Sequence, residues 1–268
     1  MTGSVIATLI ASGRIRVVIS VMNSKGGVGK TTASVNLAAA LAAPGRRVLL
    51  VDLDSQSSAS FWLGVQREAL LPSSADCLLN DYPVVKAART TSVPHLDLVT
   101  GSPELANADL ALCDVAGREL ALKNALLPAR EQYEVTILDC PPSLSLVSVN
   151  ALVAADFVLI PVSPQYLAIQ GVVSLLAAVA QMRTRLKARA TIMGILLMMA
   201  DGSPQTSAAR EQLRSIYGDL VMSTEIVAAP TFNEAPARGQ TIVQFAPRTA
   251  AAEAFTSLSG EVLERARV

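Results

Sequence analysis

The amino-acid sequence predicts an α/β domain with a doubly wound, mostly parallel sheet and helices on both faces. Short apolar runs rich in β-branched residues alternate with longer stretches of helical periodicity along the chain. This alternation is typical of parallel strands joined by helical crossovers. The apolar runs are nearly continuous, which indicates strands that are buried on both faces of the sheet.

The predicted strands are apolar runs that are bounded by turn residues and are too short to form helices. They are residues 16–22, 47–52, 96–100, 135–138, 157–161, 191–198 and 222–227. In the predicted helices, apolar residues recur every three or four positions. They are residues 30–42, 104–112, 116–127, 144–154, 168–186, 204–217 and 249–266. No linker or shift in composition divides the chain, so the sequence predicts a single domain over 1–268, with 1–15 as a short N-terminal extension.

Charge and cysteine content exclude several classes of protein. The chain has 268 residues, of which 22 are basic and 22 acidic, so it offers no net field to attract nucleic acid or a membrane. Any such binding must use a local patch. Cys77, Cys113 and Cys140 are widely spaced and odd in number, which favours reduced thiols over a disulfide framework or a zinc site. No apolar run reaches the length of a membrane span.

The stretch S-K-G-G-V-G-K-T-T at 24–32 follows a predicted strand and opens a predicted helix, which is the setting of a phosphate-binding loop. Its glycines let backbone N–H groups turn toward phosphates, and the helix N-terminus adds its positive end. Lys30 is expected to reach the β and γ phosphates, Thr31 to hold magnesium and Thr32 to donate to the α phosphate. The predicted nucleotide-binding residues of the loop are Lys25, Gly26, Gly27, Val28, Gly29, Lys30, Thr31 and Thr32.

Two aspartates stand where predicted strands end. Asp54 ends the run V-D-L-D, and Asp139 follows V-T-I-L, so both are expected at the carboxyl edge of the sheet, where doubly wound folds bind ligands. A carboxylate in the position of Asp139 is typical of a magnesium site that acts through water. Pro141 and Pro142 follow it and argue against a helix cap. Asp52, on the same side of its strand as Asp54, is expected to support the loop.

These motifs resemble the deviant Walker A ATPases, and within them the ParA-like (Soj) partition ATPases of the MinD/ParA family. The resemblance is carried by S-K-G-G-V-G-K-T-T, R-R-V-L-L-V-D-L-D-S-Q, I-L-D-C-P-P-S-L, N-A-L-V-A-A-D and N-E-A-P-A-R-G, so it runs from about Val17 to the C-terminal helix. It implies the P-loop NTPase fold, ATP and Mg²⁺ as cofactors, and a homodimer in the ATP-bound state.

The resemblance also implies roles for particular residues. Lys25 is expected to cross to the nucleotide of a second subunit as a catalytic group, although the spacing alone leaves a solvated loop charge open. Asp54 is expected to position the attacking water and is counted with Thr31 and Asp139 among the magnesium residues. The backbone near Met199 and Pro230 is expected to frame the adenine.

One part of the sequence has a local excess of positive charge. No acidic residue lies between Asp156 and Asp201, and basic residues cluster near the end of a predicted helix and on the next one. The candidate DNA-binding residues are Arg183, Arg185, Lys187, Arg189, Arg210 and Arg214. They could bind phosphates without sequence preference, or they could be the solvated cations that helix C-termini favour. The family resemblance favours DNA.

The sequence therefore predicts a ParA-type ATPase that dimerises with ATP and binds DNA non-specifically. Hydrolysis stimulated by a partner or cargo-adaptor protein would segregate or position DNA or a large cargo, and a cytoplasmic, nucleoid-associated location is expected. The alternative is a MinD-like positioning ATPase at a membrane. That class needs an amphipathic C-terminal helix, and the tail with Glu261 and Glu264 has too little apolar surface, so no stable membrane anchor is expected.

Overall fold

A computed structural model describes residues 16–164 and 168–267 of the chain, and the predicted N-terminal extension at 1–15 lies outside these residues. The strands are β1 Val17–Val21, β2 Val48–Asp52, β3 Arg89–Thr90, β4 Leu96–Val99, β5 Val135–Asp139, β6 Phe157–Val162, β7 Thr191–Ala200 and β8 Ile226–Val227. They form one sheet in the order β3-β4-β2-β5-β1-β6-β7-β8. Every neighbouring pair is parallel except β3 and β4, so the doubly wound, mostly parallel sheet is confirmed.

The helices connect these strands and cover both faces of the sheet. They are α1 Lys30–Ala42, α2 Ser58–Trp62, α3 Ser74–Leu79, α4 Val84–Ala87, α5 Ala108–Ala111, α6 Ala121–Ala125, α7 Ala129–Gln132, α8 Leu146–Ala154, α9 Ala168–Leu186, α10 Pro204–Tyr217, α11 Thr231–Ala237, α12 Ile242–Phe245 and α13 Ala250–Arg265. Four short 3₁₀ turns lie at Arg67–Ala69, Pro103–Asn107, Arg118–Leu120 and Gly218–Leu220.

The sheet separates two hydrophobic cores, because successive side chains of a strand point to opposite faces. In β2, Leu49 and Val51 join the core under α8, α9 and α10, whereas Val48 and Leu50 join the core under α1 and α13. All five residues of β2 are buried. The continuous apolar runs in the sequence are therefore explained by burial on both faces.

The predicted and observed elements differ where tertiary contacts, and not the periodicity of the sequence, determine the local structure. The predicted strand 222–227 is reduced to β8, because the N–H groups of Ser223 and Thr224 donate to the Glu261 carboxylate and not to a neighbouring strand. The predicted helices 104–112 and 116–127 break into 3₁₀ turns followed by α5 and α6. The short helices α2, α3, α4, α7, α11 and α12 and strand β3 were not predicted, because so few residues establish no period.

The carboxyl ends of β1, β2 and β5 lie together near the middle of the sheet. The register places Val21 opposite Asp139, and Asp139 opposite Asp52. In doubly wound sheets ligands bind at this edge. In the described part of the chain, no helix combines the length and the hydropathy that a membrane crossing requires.

Candidate functional site

The loop between β1 and α1 is anchored at its start by Asn23, which is buried. Asn23 donates from Nδ2 to the Pro161 carbonyl at the end of β6, at 2.7 Å, and its Oδ1 accepts from the Lys25 N–H, at 3.0 Å. One side chain therefore fixes the first residues of the loop to the neighbouring strand. Asn23 was not predicted as a site residue, although it is a polar residue directly after a buried strand.

The glycines give the loop a conformation that other residues rarely adopt. Gly27 and Gly29 have φ angles of 73° and 88°, in the left-handed region. A Cβ atom at Gly29 would lie 2.9 Å from Cε of Met198, so a larger residue there would also displace the end of that side chain. At Gly26 and Gly27, in contrast, a Cβ would meet no atom within 4 Å. The backbone there borders open space, which is the shape that a phosphate cradle needs.

Lys30, the first residue of α1, lies over this loop. Its side chain is buried, and Nζ donates to the Lys25 carbonyl at 2.9 Å. Burial lowers the pKa of Lys30, and the nearby Asp139 carboxyl, together with Asp54, opposes that shift. The amino group of Lys30 therefore lies inside the loop, close to the Asp139 carboxyl.

Asp139 is fully buried at the end of β5. Its Oδ1 accepts from the Ser34 hydroxyl at 2.8 Å, whereas its Oδ2 has no hydrogen-bond partner in the part of the chain that the structure describes. Burial raises the pKa of the Asp139 carboxyl, Asp52 adds to the increase, and the hydrogen bond from Ser34 opposes it. An unpartnered carboxylate oxygen in a buried site is costly unless a cation or proton satisfies it.

This donor set fits a magnesium ion. Thr31 and Asp139 offer hydroxyl and carboxylate oxygens, which are hard ligands of the kind that Mg²⁺ binds. No three acidic, cysteine or histidine side chains in the described residues form a complete metal cage. Magnesium commonly uses one or two protein ligands together with water and phosphate oxygens, so the sparse set is consistent with a nucleotide-bound ion.

Asp54 lies two residues beyond β2 and is half-buried. Its backbone N–H donates to Asp52 Oδ1 at 3.1 Å, and its own Oδ1 accepts from the Gln56 N–H at 2.9 Å. Asp52 thus holds the backbone of Asp54 in the loop after β2. The inclusion of Asp54 among the magnesium ligands stays a prediction.

The remaining predicted loop residues occupy distinct environments. Val28 is buried, and Thr31 and Thr32 are half-buried in the first turn of α1. Lys25 is also half-buried, and no carboxylate in the described residues lies within 4 Å of its ammonium group. Its backbone N–H is held by Asn23, and its side chain has no acidic partner among residues 16–164 and 168–267.

The two candidate adenine residues lie at the carboxyl edge. Met199 has a φ angle of 57° and a side chain that is 41% exposed, and its neighbour Met198 packs against Gly29 of the loop. The Ala228 N–H donates to the Ala200 carbonyl at 2.9 Å and so holds the segment before Pro230 beside the end of β7. This places both near the phosphate loop, and their contact with adenine stays a prediction.

The predicted basic cluster lies at the other edge of the sheet. A helix between parallel strands runs back toward their amino ends, so the last turn of α9 and the start of β7 lie away from the phosphate loop. Arg183, Arg185, Lys187 and Arg189 are exposed, and none lies within 4 Å of a carboxylate in the described residues. We call these four residues the basic cluster.

Arg210 and Arg214 of α10 differ from the basic cluster because they have an acidic partner. Arg210 donates to both carboxylate oxygens of Glu225, at 2.6 and 2.7 Å, and Arg214 lies 3.8 Å from the same group. The positive charge of Arg210 is therefore compensated within the chain. Glu225 follows the acid-free stretch between Asp156 and Asp201 in the sequence. The composition of that stretch therefore did not indicate the ion pair of Glu225 with Arg210.

Comparisons with known proteins identify the family of the chain. A family model described as an AAA domain matches residues 16–192. The chain is 39% identical to the sporulation initiation inhibitor protein Soj of Bacillus subtilis, over 91% of this chain and 97% of that protein. It is 36% identical to the chromosome partitioning protein ParA of Caulobacter vibrioides, over 93% of this chain and 95% of that protein.

Among solved structures, a cobyrinic acid a,c-diamide synthase from Mycobacterium smegmatis with bound ADP and magnesium has a TM-score of 0.79 and 30% identity, covering 94% of this chain and 96% of that one. The phosphate-loop glycines, Lys30 and the buried Asp139 thus occur in a chain that aligns with partition proteins along nearly its whole length. The chain belongs to the ParA/Soj family of deviant Walker A ATPases.

Proposed function

We propose that the chain hydrolyses ATP with magnesium and that its ATP-bound homodimer binds DNA without sequence preference. A partner or cargo-adaptor protein would stimulate hydrolysis and release the dimer, so that DNA or a large cellular cargo is segregated or positioned. The proposal places the protein in the cytoplasm on the nucleoid. The single observation that carries it is the unpartnered, buried Oδ2 of Asp139 beside the glycine loop and Lys30.

Each residue of the site has a task in this proposal. The loop N–H groups and Lys30 hold the β and γ phosphates, Thr31 and Asp139 hold the magnesium ion, and Asp54 orients the attacking water. Bound magnesium would neutralise charge on the phosphate oxygens. Thr32 donates to the α phosphate, and the backbone near Met199 and Pro230 frames the adenine.

Dimerisation enters through Lys25. Its side chain is half-buried and has no carboxylate within 4 Å among the described residues. The phosphates of the nucleotide in a second subunit would supply the negative charge that Lys25 lacks among the described residues, so catalysis would depend on the dimer.

DNA binding is proposed for the basic cluster, with Arg214 at its side and Arg210 as a minor contributor because Glu225 neutralises it. Each phosphate that is neutralised releases counterions and contributes roughly 0.9 to the logarithmic salt slope on duplex DNA. Two copies of the cluster in a dimer therefore bind more tightly, and with a steeper salt dependence, than one copy.

Reversing two charges of the basic cluster is expected to remove DNA binding and to leave ATP binding intact. In the variant Arg185→Glu with Arg189→Glu, two cations per subunit become anions, so DNA affinity at moderate salt should fall by about 100-fold or more. The measurement is co-sedimentation with duplex DNA in the presence of ATP, of ADP and across a salt series. The wild-type chain should bind in ATP and bind much more weakly in ADP.

The matched control is Lys86→Glu with Lys123→Glu, which makes the same change of charge at exposed positions on α4 and α6. Equal DNA binding in ADP and ATP would contradict the nucleotide switch. Equal losses in the test and control variants would show that net charge, and not the basic cluster, attracts DNA.

A further inference from the structure

The side chain of Asp52 is the centre of a buried hydrogen-bond cluster beneath the loop that carries Asp54. Asp52 is 0% exposed, and its Oδ1 accepts from the Asp54 N–H at 3.1 Å. Its Oδ2 accepts from both the N–H and the hydroxyl of Ser60, at 2.9 and 2.7 Å. One carboxylate therefore binds the first residue of the loop and also a residue of α2, on the far side of that loop.

Ser60 extends this cluster to a second strand. Its hydroxyl has one proton, which it donates to Asp52, and its lone pairs accept from the Gly101 N–H at 3.0 Å. Ser60 is 0% exposed, so no water competes for these bonds. Gly101 follows β4, and the contact joins the Asp54 loop to the neighbouring strand end.

The fit around Gly101 is tight on the Asp54 side. A Cβ atom at this position would lie 2.6 Å from the Asp54 carbonyl oxygen and 2.9 Å from Cγ of Asp52. The backbone of Gly101 thus packs directly against the residue whose carboxylate is proposed to orient water. A shift of the carboxyl end of β4 would therefore move Asp54. The Ser60 hydroxyl opposes such a shift through its hydrogen bond from the Gly101 N–H.

We propose that Ser60 is a positioning residue for Asp54. Its hydrogen bonds to Asp52 connect α2 to the start of the Asp54 loop. Its hydrogen bond from the Gly101 N–H holds this loop against the end of β4. Asp54 touches solvent on one side and receives its orientation from these buried bonds. The inference rests on the proposed function, because it assigns the hydroxyl an effect on the hydrolysis step.

If Ser60 positions Asp54, replacing Ser60 should lower the rate of ATP turnover much more than it weakens nucleotide binding. Ser60 does not belong to the phosphate loop, and its side chain contacts Asp52 and Gly101 rather than Lys30 or Thr31. Removing the hydroxyl takes away the acceptor of the Gly101 N–H and one of the two donors to Asp52 Oδ2. The loop around Asp54 is then expected to relax. Misplacement of a catalytic group by about 1 Å costs about 100-fold in rate.

The experiment compares Ser60→Ala, Ser60→Thr and the control Ser58→Ala, which removes an exposed hydroxyl from the same helix. We expect Ser60→Ala to lower kcat by about 10-fold to 100-fold with the ATP dissociation constant within about twofold of wild type. Ser60→Thr retains the hydroxyl and should restore turnover. If Ser60→Ala does not fold, Ser60→Cys replaces it, since a thiol is a weak donor and acceptor.

Hydrogen exchange of the nucleotide-free chain supplies a readout that does not depend on activity. The amides of Asp54, Ser60 and Gly101 all donate into the cluster, so their exchange should accelerate by about tenfold in Ser60→Ala. Exchange in β1 and α1 should stay unchanged. Ser58→Ala should exchange like the wild type throughout.

Wild-type turnover in Ser60→Ala, or equal losses of kcat and ATP affinity, would overturn the inference. Unchanged exchange at Gly101 would overturn it as well, because the bond would then not hold the loop. A wild-type chain that binds no ATP would instead overturn the proposed function and the catalytic role of Ser60 with it. Exchange would then decide separately whether Ser60 holds the loop.

Discussion

Replacing Lys30 with alanine is expected to weaken ATP binding by about 100-fold or more, which is the effect of losing two charge-assisted hydrogen bonds to phosphate. The side chain is buried over the loop and its ammonium already donates to the Lys25 carbonyl. Burial lowers the pKa of this group, and the Asp139 carboxyl opposes the shift.

Isothermal titration with ATP and magnesium measures this effect directly. The control is Lys123→Ala, because Lys123 is an exposed lysine on α6. Thermal unfolding of both variants separates lost affinity from lost folding. Binding of ATP by Lys30→Ala with the wild-type affinity would contradict the assignment of the loop as the phosphate site.

The second large effect is expected from a pair of variants that repair each other. Lys25→Ala should lose stimulated hydrolysis by about 1000-fold, as enzymes do when a cation supplied in trans is removed, while the monomer still binds ATP. Asp54→Ala should also bind ATP without hydrolysing it, because its phosphate loop, Thr31 and Asp139 are intact. Each variant is therefore expected to be inactive alone.

Mixing the two inactive variants distinguishes a lysine that acts across the dimer from one that acts within its own subunit. In a mixed dimer, the subunit with Lys25→Ala keeps Asp54 and would receive Lys25 from its partner, so one complete site forms. Turnover should rise to about one quarter of the wild-type value at equal concentrations, since random pairing makes half of the dimers mixed with one active site each. A mixture as inactive as its components would contradict action in trans, and Lys123→Ala serves as the control for loss of a lysine.

Several elements were predictable from sequence because the information is local. The helices α1, α9 and α10 begin and end where the sequence predicts. Long amphipathic patterns in α9 and α10, and the Ser203 and Pro204 start of α10, leave little freedom for the boundaries of these two helices. The 3₁₀ turns at Pro103–Asn107 and Arg118–Leu120 were mistaken for parts of longer helices, because tertiary contacts override short apolar patterns.

The residues of the candidate site also fall into those that the sequence indicates and those that only the structure reveals. Residues 24–32 are consecutive, so their spacing alone indicated a phosphate loop, and the structure places Asp139 beside Lys30. Asn23, Ser34 and Ser60 were missed, because each is defined by a partner that is distant along the chain. No periodicity reports a hydrogen bond from Gly101 to Ser60.

The amino-acid sequence by itself determined the fold class, the phosphate loop and the carboxylates at the strand ends, since each depends on the order of neighbouring residues. Only the tertiary structure decided which charged side chains form ion pairs with one another. It pairs Arg210 with Glu225, leaves the basic cluster without a carboxylate within 4 Å in the described residues, and leaves Asp139 Oδ2 unpartnered. The physical reason is that hydrogen bonds and ion pairs depend on distances of about 3 Å between segments that folding brings together, and sequence order does not specify these distances.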